Sequence, residues 1–278
     1  MTYGLFHTTG LLLVMPSIPP DDEEAALPAD HAPQAGTPLA PPSGMTPSND
    51  SDCVDLTVGA PQLDPDDATL AAGAAAAERQ PPGDGYRWLF DGHGCRHWAS
   101  AGAGSFVLVD DRLESVPGND LGLFWCTEPT PPDFVLRLQW LRWRHEDTSG
   151  VFVRFPRPET YPDCNAAFGA IYQGFEVQID EIGLPGASAI HRTGAIFAAR
   201  DQNLRPATVR PPAEWNDLEI TARGQRYTVR LNGQLTSEFD NPDPARGRPS
   251  TAAAPSFVGL QLSPGSRVAF RRIAIKAL

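Results

Sequence analysis

Gly174-Phe175-Glu176-Val177-Gln178-Ile179-Asp180 alternates without a break. Phe175, Val177 and Ile179 fall on one face of an extended strand, and Glu176, Gln178 and Asp180 on the other. The apolar row predicts a strand laid over a core. The polar row sets two carboxylates and an amide side by side. Like charges so placed repel unless an arginine, a metal or a polar ligand compensates them. This row is therefore the expected site. The alternative is an exposed strand whose outer face happens to be acidic.

The neighbouring stretches supply the expected compensation. Ser149-Gly150-Val151-Phe152-Val153-Arg154-Phe155 also alternates, with Phe152 and Arg154 opposite Val151, Val153 and Phe155. His191-Arg192-Thr193-Gly194-Ala195-Ile196-Phe197 follows downstream. An arginine such as Arg154 beside the carboxylates is the natural counter-charge.

Strand patterns continue on both sides. Phe134 to Leu141 alternates large apolar residues with Val135, Arg137 and Gln139. Gln225 to Leu231, Asn232-Gly233 and Gln234 to Phe239 form a hairpin pattern around a type I′ turn signal. Phe257 to Leu262 and Arg267 to Ile275 read as another antiparallel pair around Ser263-Pro264-Gly265-Ser266. Short strands at regular spacing, with no long helical period, predict an all-β, two-sheet antiparallel sandwich over residues 84–278. Residues 156–174 read as long and irregular.

The first 83 residues differ in kind. They hold 12 acidic side chains and one basic one, whereas residues 84–278 hold 22 and 21. Their Pro, Ala, Asp and Ser content predicts a largely disordered acidic extension, with one short helix over 64–80. The near-neutral remainder has no basic stripe, which argues against nucleic acid as a partner. No run approaches the apolar length of a membrane span, and no basic residue precedes Arg79 to start a secretory leader. The expectation is no membrane association and a cytoplasmic location. Cys53, Cys95, Cys126 and Cys164 show no metal-ligand spacing and are expected as free thiols.

Seven short stretches, in order, resemble one known family. They are Leu89-Phe90-Asp91-Gly92 with Trp98, Asp133 to Leu136, Ser149 to Arg154, Gly174 to Asp180, Arg192 to Phe197, Glu214-Trp215-Asn216, and Leu231-Asn232-Gly233. Together they resemble the 3-keto-disaccharide hydrolase domain family, a concanavalin A-like jelly roll. The resemblance implies a sugar-active domain working on a 3-keto-glycoside. A base removes the C2 proton beside the ketone, an enolate forms, the C1 substituent leaves, and water adds back. An oxidoreductase supplying the keto substrate is implied as well.

The residues carry this chemistry in more than one way. His191, Glu176 or Asp180 is the candidate base, and Arg154 or a divalent metal the enolate stabiliser. Gln178 and Thr193 are candidates for hydrogen bonds to the sugar, and Trp143, Tyr172 and Trp215 for stacking on it. A metal held by His191, Glu176 and Asp180 is chemically plausible, although no ligand spacing establishes it. A paired-carboxylate glycosidase fits poorly, because Glu176 and Asp180 lie roughly 13 Å apart along a strand. The alternatives are a non-catalytic carbohydrate-binding jelly roll and an interaction module whose acidic tail recruits a partner.

Overall fold

The computed structural model describes residues 83–159, 165–183 and 188–278. The tail expected over 1–83 (Gly83 apart), the helix expected over 64–80, and Cys53 and Cys164 lie outside the described residues. Two antiparallel sheets account for the described strands. The larger has nine, in the order β3 (Ser105–Val109), β4 (Arg112–Val116), β14 (Val268–Ala277), β6 (Phe134–Arg142), β10 (Asn216–Arg223), β11 (Arg226–Leu231), β12 (Gln234–Asp240) and β9 (Asn203–Leu204). Its ninth strand, β1 (Tyr86–Phe90), also pairs with β14. The smaller sheet runs β2 (Trp98–Gly102), β5 (Gly122–Cys126), β13 (Phe257–Leu262), β7 (Ser149–Phe155) and β8 (Phe175–Ile179). The protein is an all-β jelly-roll sandwich.

The alternation of each strand decides what lies between the sheets. Phe134, Leu136, Leu138 and Trp140 of β6 share one buried cluster with Val151 and Val153 of β7 and with Phe175, Val177 and Ile179 of β8. Each such side chain contributes roughly 1.5–3 kcal/mol through removal from water. Cys95 and Cys126 are buried in the same cluster.

The hairpin over 225–239 forms as read. Asn232 and Gly233 both take positive φ, 49° and 79°, as a type I′ turn requires. The expected pairing of Phe257–Leu262 with the last strand does not form. β13 pairs with β5 and β7, while β14 pairs with β1, β4 and β6. The Ser263–Ser266 turn therefore carries the chain from one sheet to the other.

Residues 165–174 also hold more order than their sequence suggests. A short helix, α1 (Phe168–Gln173), ends at Gly174 and runs straight into β8. Before it, the Asn165 amide donates to the Leu121 carbonyl at the start of β5. The segment from Asn165 to Gly174 thus crosses the outer face of the smaller sheet. Ala167, Ala170 and Ile171 bury there a second apolar cluster made by Leu123, Trp125, Phe152, Phe155 and Phe257.

Candidate functional site

β8 is the outermost named strand of the smaller sheet, and its polar row faces away from the main core. Glu176 pairs across the sheet with Phe152, and Gln178 with Gly150. On its other edge β8 is bordered by the irregular stretch from Thr193 to Phe197. The Phe197 N–H donates to the Glu176 carbonyl at 2.8 Å, and the Gln178 N–H to the Ala195 carbonyl at 2.9 Å. Glu176 therefore lies between two phenylalanine positions, with α1 starting the strand that carries it.

This setting buries the carboxyl. Glu176 is 4% exposed, Gln178 7%. Glu176 Oε1 and Gln178 Oε1 are sealed from solvent with no hydrogen-bond partner among the described residues. Loss of water around it pushes the Glu176 carboxyl up to about 8 from its usual 4.5. Gly150 makes the arrangement sterically feasible, since any Cβ there would overlap the Glu176 carboxylate. Gly150, Phe152 and Phe197 were missed as site residues by sequence reasoning. A glycine inside an otherwise regular strand was the available signal at Gly150.

Asp180 continues the row but plays a local role. It follows the last residue of β8, and its Oδ1 accepts the N–H groups of Ile182 and Gly183 at 3.0 and 2.6 Å. Thr193 serves the same turn, its hydroxyl accepting the Asp180 N–H at 2.8 Å. Thr193 also borders a cleft of about 450 Å³ beside Arg192, Leu204, Arg205 and Val209. His191 ends a 3-10 turn (Ala189–His191), and its ring meets that of Phe197 edge-on with centroids 5.2 Å apart. Phe197 thus links His191 to the strand that carries Glu176.

The expected pairing of Arg154 with these carboxylates does not form. Arg154 has φ 54° at a bulge where the β7–β13 register slips. The bulge reverses the alternation, so Phe155 joins Phe152 on the outer face while Arg154 turns inward. Its guanidinium, fully buried, pairs with Asp133 at 3.1 Å. It also donates to the carbonyls of Gly224 and Pro132 and lies over the rings of Tyr227 and Phe134.

The aromatic candidates separate too. Trp215 stacks under Arg271 at 4.1 Å, and Arg271 donates to Gln139 on the larger sheet. Trp143 lies under Arg267 at 4.9 Å, just beyond β6. Neither joins the Glu176 face. Tyr172, on α1 three residues before that strand, is 55% exposed with its ring stacked on Phe168. It is the aromatic candidate left near the site. No group of three His, Cys, Asp or Glu side chains among the described residues is placed to hold a metal ion. In the set expected to hold one, Asp180 Oδ1 is committed to its own turn.

The site as it stands offers one buried, unpartnered carboxyl, one amide, an imidazole at the rim and apolar walls. It suits a neutral polar ligand that brings its own hydrogen-bond donors. The sequence matches the 3-keto-alpha-glucoside-1,2-lyase-like domain over residues 85–276. No curated protein matches it. Among solved structures, a "putative glycosyl hydrolase" from Parabacteroides distasonis ATCC 8503 superposes with a TM-score of 0.53 at 20% identity. The match covers 74% of this chain and 96% of that one. A second protein of that description from the same organism gives 0.50 at 23% identity, over 69% and 99%. At such identities the likeness is one of fold. On the match over residues 85–276, the chain belongs to the 3-keto-alpha-glucoside-1,2-lyase-like domain family.

Proposed function

We propose that this domain cleaves a 3-keto-glycoside by elimination followed by hydration, with Glu176 as the base. The observation that carries the reading is the buried Glu176 carboxyl, its Oε1 unpartnered and its affinity for a proton raised to about 8. A carboxylate held in that state is a far stronger base than one in water, and it titrates near working pH.

Glu176 takes the proton from C2, and the electron pair moves onto the C3 oxygen as an enolate. The enolate then collapses, C1–C2 becomes a double bond, and the C1–O bond breaks with its electrons leaving on the aglycone oxygen. Water adds across the double bond, hydroxide to C1 and a proton to C2, so the net reaction is hydrolysis. The Gln178 amide, beside Glu176 on the same face, hydrogen-bonds the ketone oxygen as charge develops there. His191, at the rim, gives its own proton to the departing oxygen and regains one from the water whose hydroxide adds to C1, while Glu176 returns its proton to C2. Tyr172 offers a ring for the apolar face of the sugar. The substrate's ketone must come from an oxidoreductase that oxidises the C3 hydroxyl.

A second reading, a carbohydrate-binding module without turnover, draws on the same unpartnered oxygens of Glu176 and Gln178, which suit sugar hydroxyls. One assay separates the two. The protein is incubated with a 3-keto-glucoside bearing a chromogenic aglycone, and with the unoxidised glucoside. Release from the keto substrate alone, lost in Glu176→Gln with binding retained, supports elimination. Binding of both sugars with release from neither supports the module.

A further inference from the structure

Arg142 ends β6 on the side of the strand that carries Trp140 into the core, and only 2% of it is exposed. Its Nε and Nη1 are buried with no acceptor among the described residues, and so is the Nε1 of Trp140. The guanidinium carbon lies 5.9 Å from the Trp140 ring centroid, so the three orphan donors belong to two side chains in contact. None of them belongs to the Glu176 face.

The polar side chains nearest in sequence and strand register are engaged elsewhere. Asp147, fully buried five residues on, takes the Arg144 guanidinium at 2.7 Å and the backbone N–H groups of Arg144 and Arg267. Asn216, paired with Trp140 across the sheet, accepts from the Arg210 N–H and the Asn232 amide through its one oxygen. The Arg142 carbonyl itself receives the Ala213 N–H. An arginine cannot shed its charge by deprotonating, so burial without a counter-charge is costly. A water molecule would satisfy the N–H groups but would leave the charge uncompensated. The stacking on Trp140 offsets part of it at best.

We propose that this end of the sandwich interior binds one small monovalent anion, with chloride the fitting occupant, held by Arg142 Nε and Nη1 and Trp140 Nε1. The anion binds the folded chain and not the unfolded one, so it raises the melting temperature in a saturating way.

The test is thermal unfolding of the whole chain against sodium chloride at constant ionic strength, balanced with sodium fluoride. The expected result is a rise on the order of 5 °C that levels off for the native sequence. Arg142→Met should flatten that curve, and Trp140→Phe should shift its midpoint to higher chloride. Bromide-soaked crystals of the native protein should show an anomalous peak beside the Arg142 guanidinium. That peak keeps the proposal testable where Arg142→Met fails to fold. An equal chloride response in both variants and the native protein would overturn it, as would no response together with no bromide peak. Either outcome would leave the donors to water.

Discussion

The two sheets present outward faces built on the same alternation, and they treat polar side chains in opposite ways. On the larger sheet, Arg137 meets Glu219 at 2.7 Å, Gln139 meets Asp217 at 2.8 Å, and Glu238 lies between Arg205 and Arg226. Each group there has a cross-strand partner and stays partly in water. On the smaller sheet, Glu176 and Gln178 are buried against phenylalanines and glycine with oxygens unmatched. Paired polar residues solvate a face. Buried and unpaired ones hold free energy in reserve for a ligand that completes them.

The sharpest way to break this contrast is Glu176→Gln. If Glu176 is the base, the change keeps shape and hydrogen bonding while removing proton abstraction. The turnover number on a chromogenic 3-keto-glucoside should fall by about 10²–10⁴ with the sugar still bound. In the native protein kcat/KM should rise with pH and level off above about 8, because the ionised carboxylate is the active form. A flat profile from pH 6 to 9 would remove Glu176 from the role.

The same carboxyl sets a stability trend. Its affinity for protons is raised in the fold, from 4.5 to about 8. Below the lower value both folded and unfolded chains are protonated, and burial of the neutral acid adds no charge penalty. Between the two values the unfolded chain releases a proton that the folded chain keeps, so stability declines as pH rises. Above about 8 the decline stops. Its full size is at most on the order of 5 kcal/mol. Denaturant titrations from pH 5 to 9 should show the decline in the native protein and lose most of it in Glu176→Gln.

How far the sequence revealed this contrast depends on the residue. The alternation of 174–180 located the polar row, and the Asn232-Gly233 turn fixed a hairpin on the larger sheet. The fate of the row was not visible, because β8 is bordered by the separate stretch that ends in Phe197 and preceded by a helix in an irregular-looking segment, and the alternation shows neither. Arg154 misled for a definite reason. One non-glycine residue with positive φ shifted the register, and from that point inward and outward exchanged places. The Ser263–Ser266 turn misled because a crossing between sheets and a hairpin use the same turn residues.

Gly150→Ala sharpens the comparison from beneath. A methyl group there overlaps the Glu176 carboxylate and drives it outward or shifts the strand. We expect a loss of about 1–3 kcal/mol in stability and at least a tenfold loss of turnover, as misplacement of a base costs rate steeply. A moved carboxyl should also regain water, so the pH at which kcat/KM levels off should drop below that of the native protein. Full activity in Gly150→Ala would mean that the carboxyl need not sit where it does.

The smallest effect belongs to the other face. Arg226→Ala and Glu238→Ala break a pair at 3.1 Å whose side chains are 55% and 25% exposed. Water screens such a pair, and long side chains lose entropy in holding it, so the coupling energy in a double-mutant cycle should be below about 1 kcal/mol. Turnover should not change, since the main core separates this face from Glu176. That near-zero result matters as much as the large one. The larger sheet displays more charged groups than the smaller, and a count of charge would place the site there. What marks the Glu176 face is polar atoms left without partners, and a measurable catalytic loss on removing Arg226 or Glu238 would contradict that criterion.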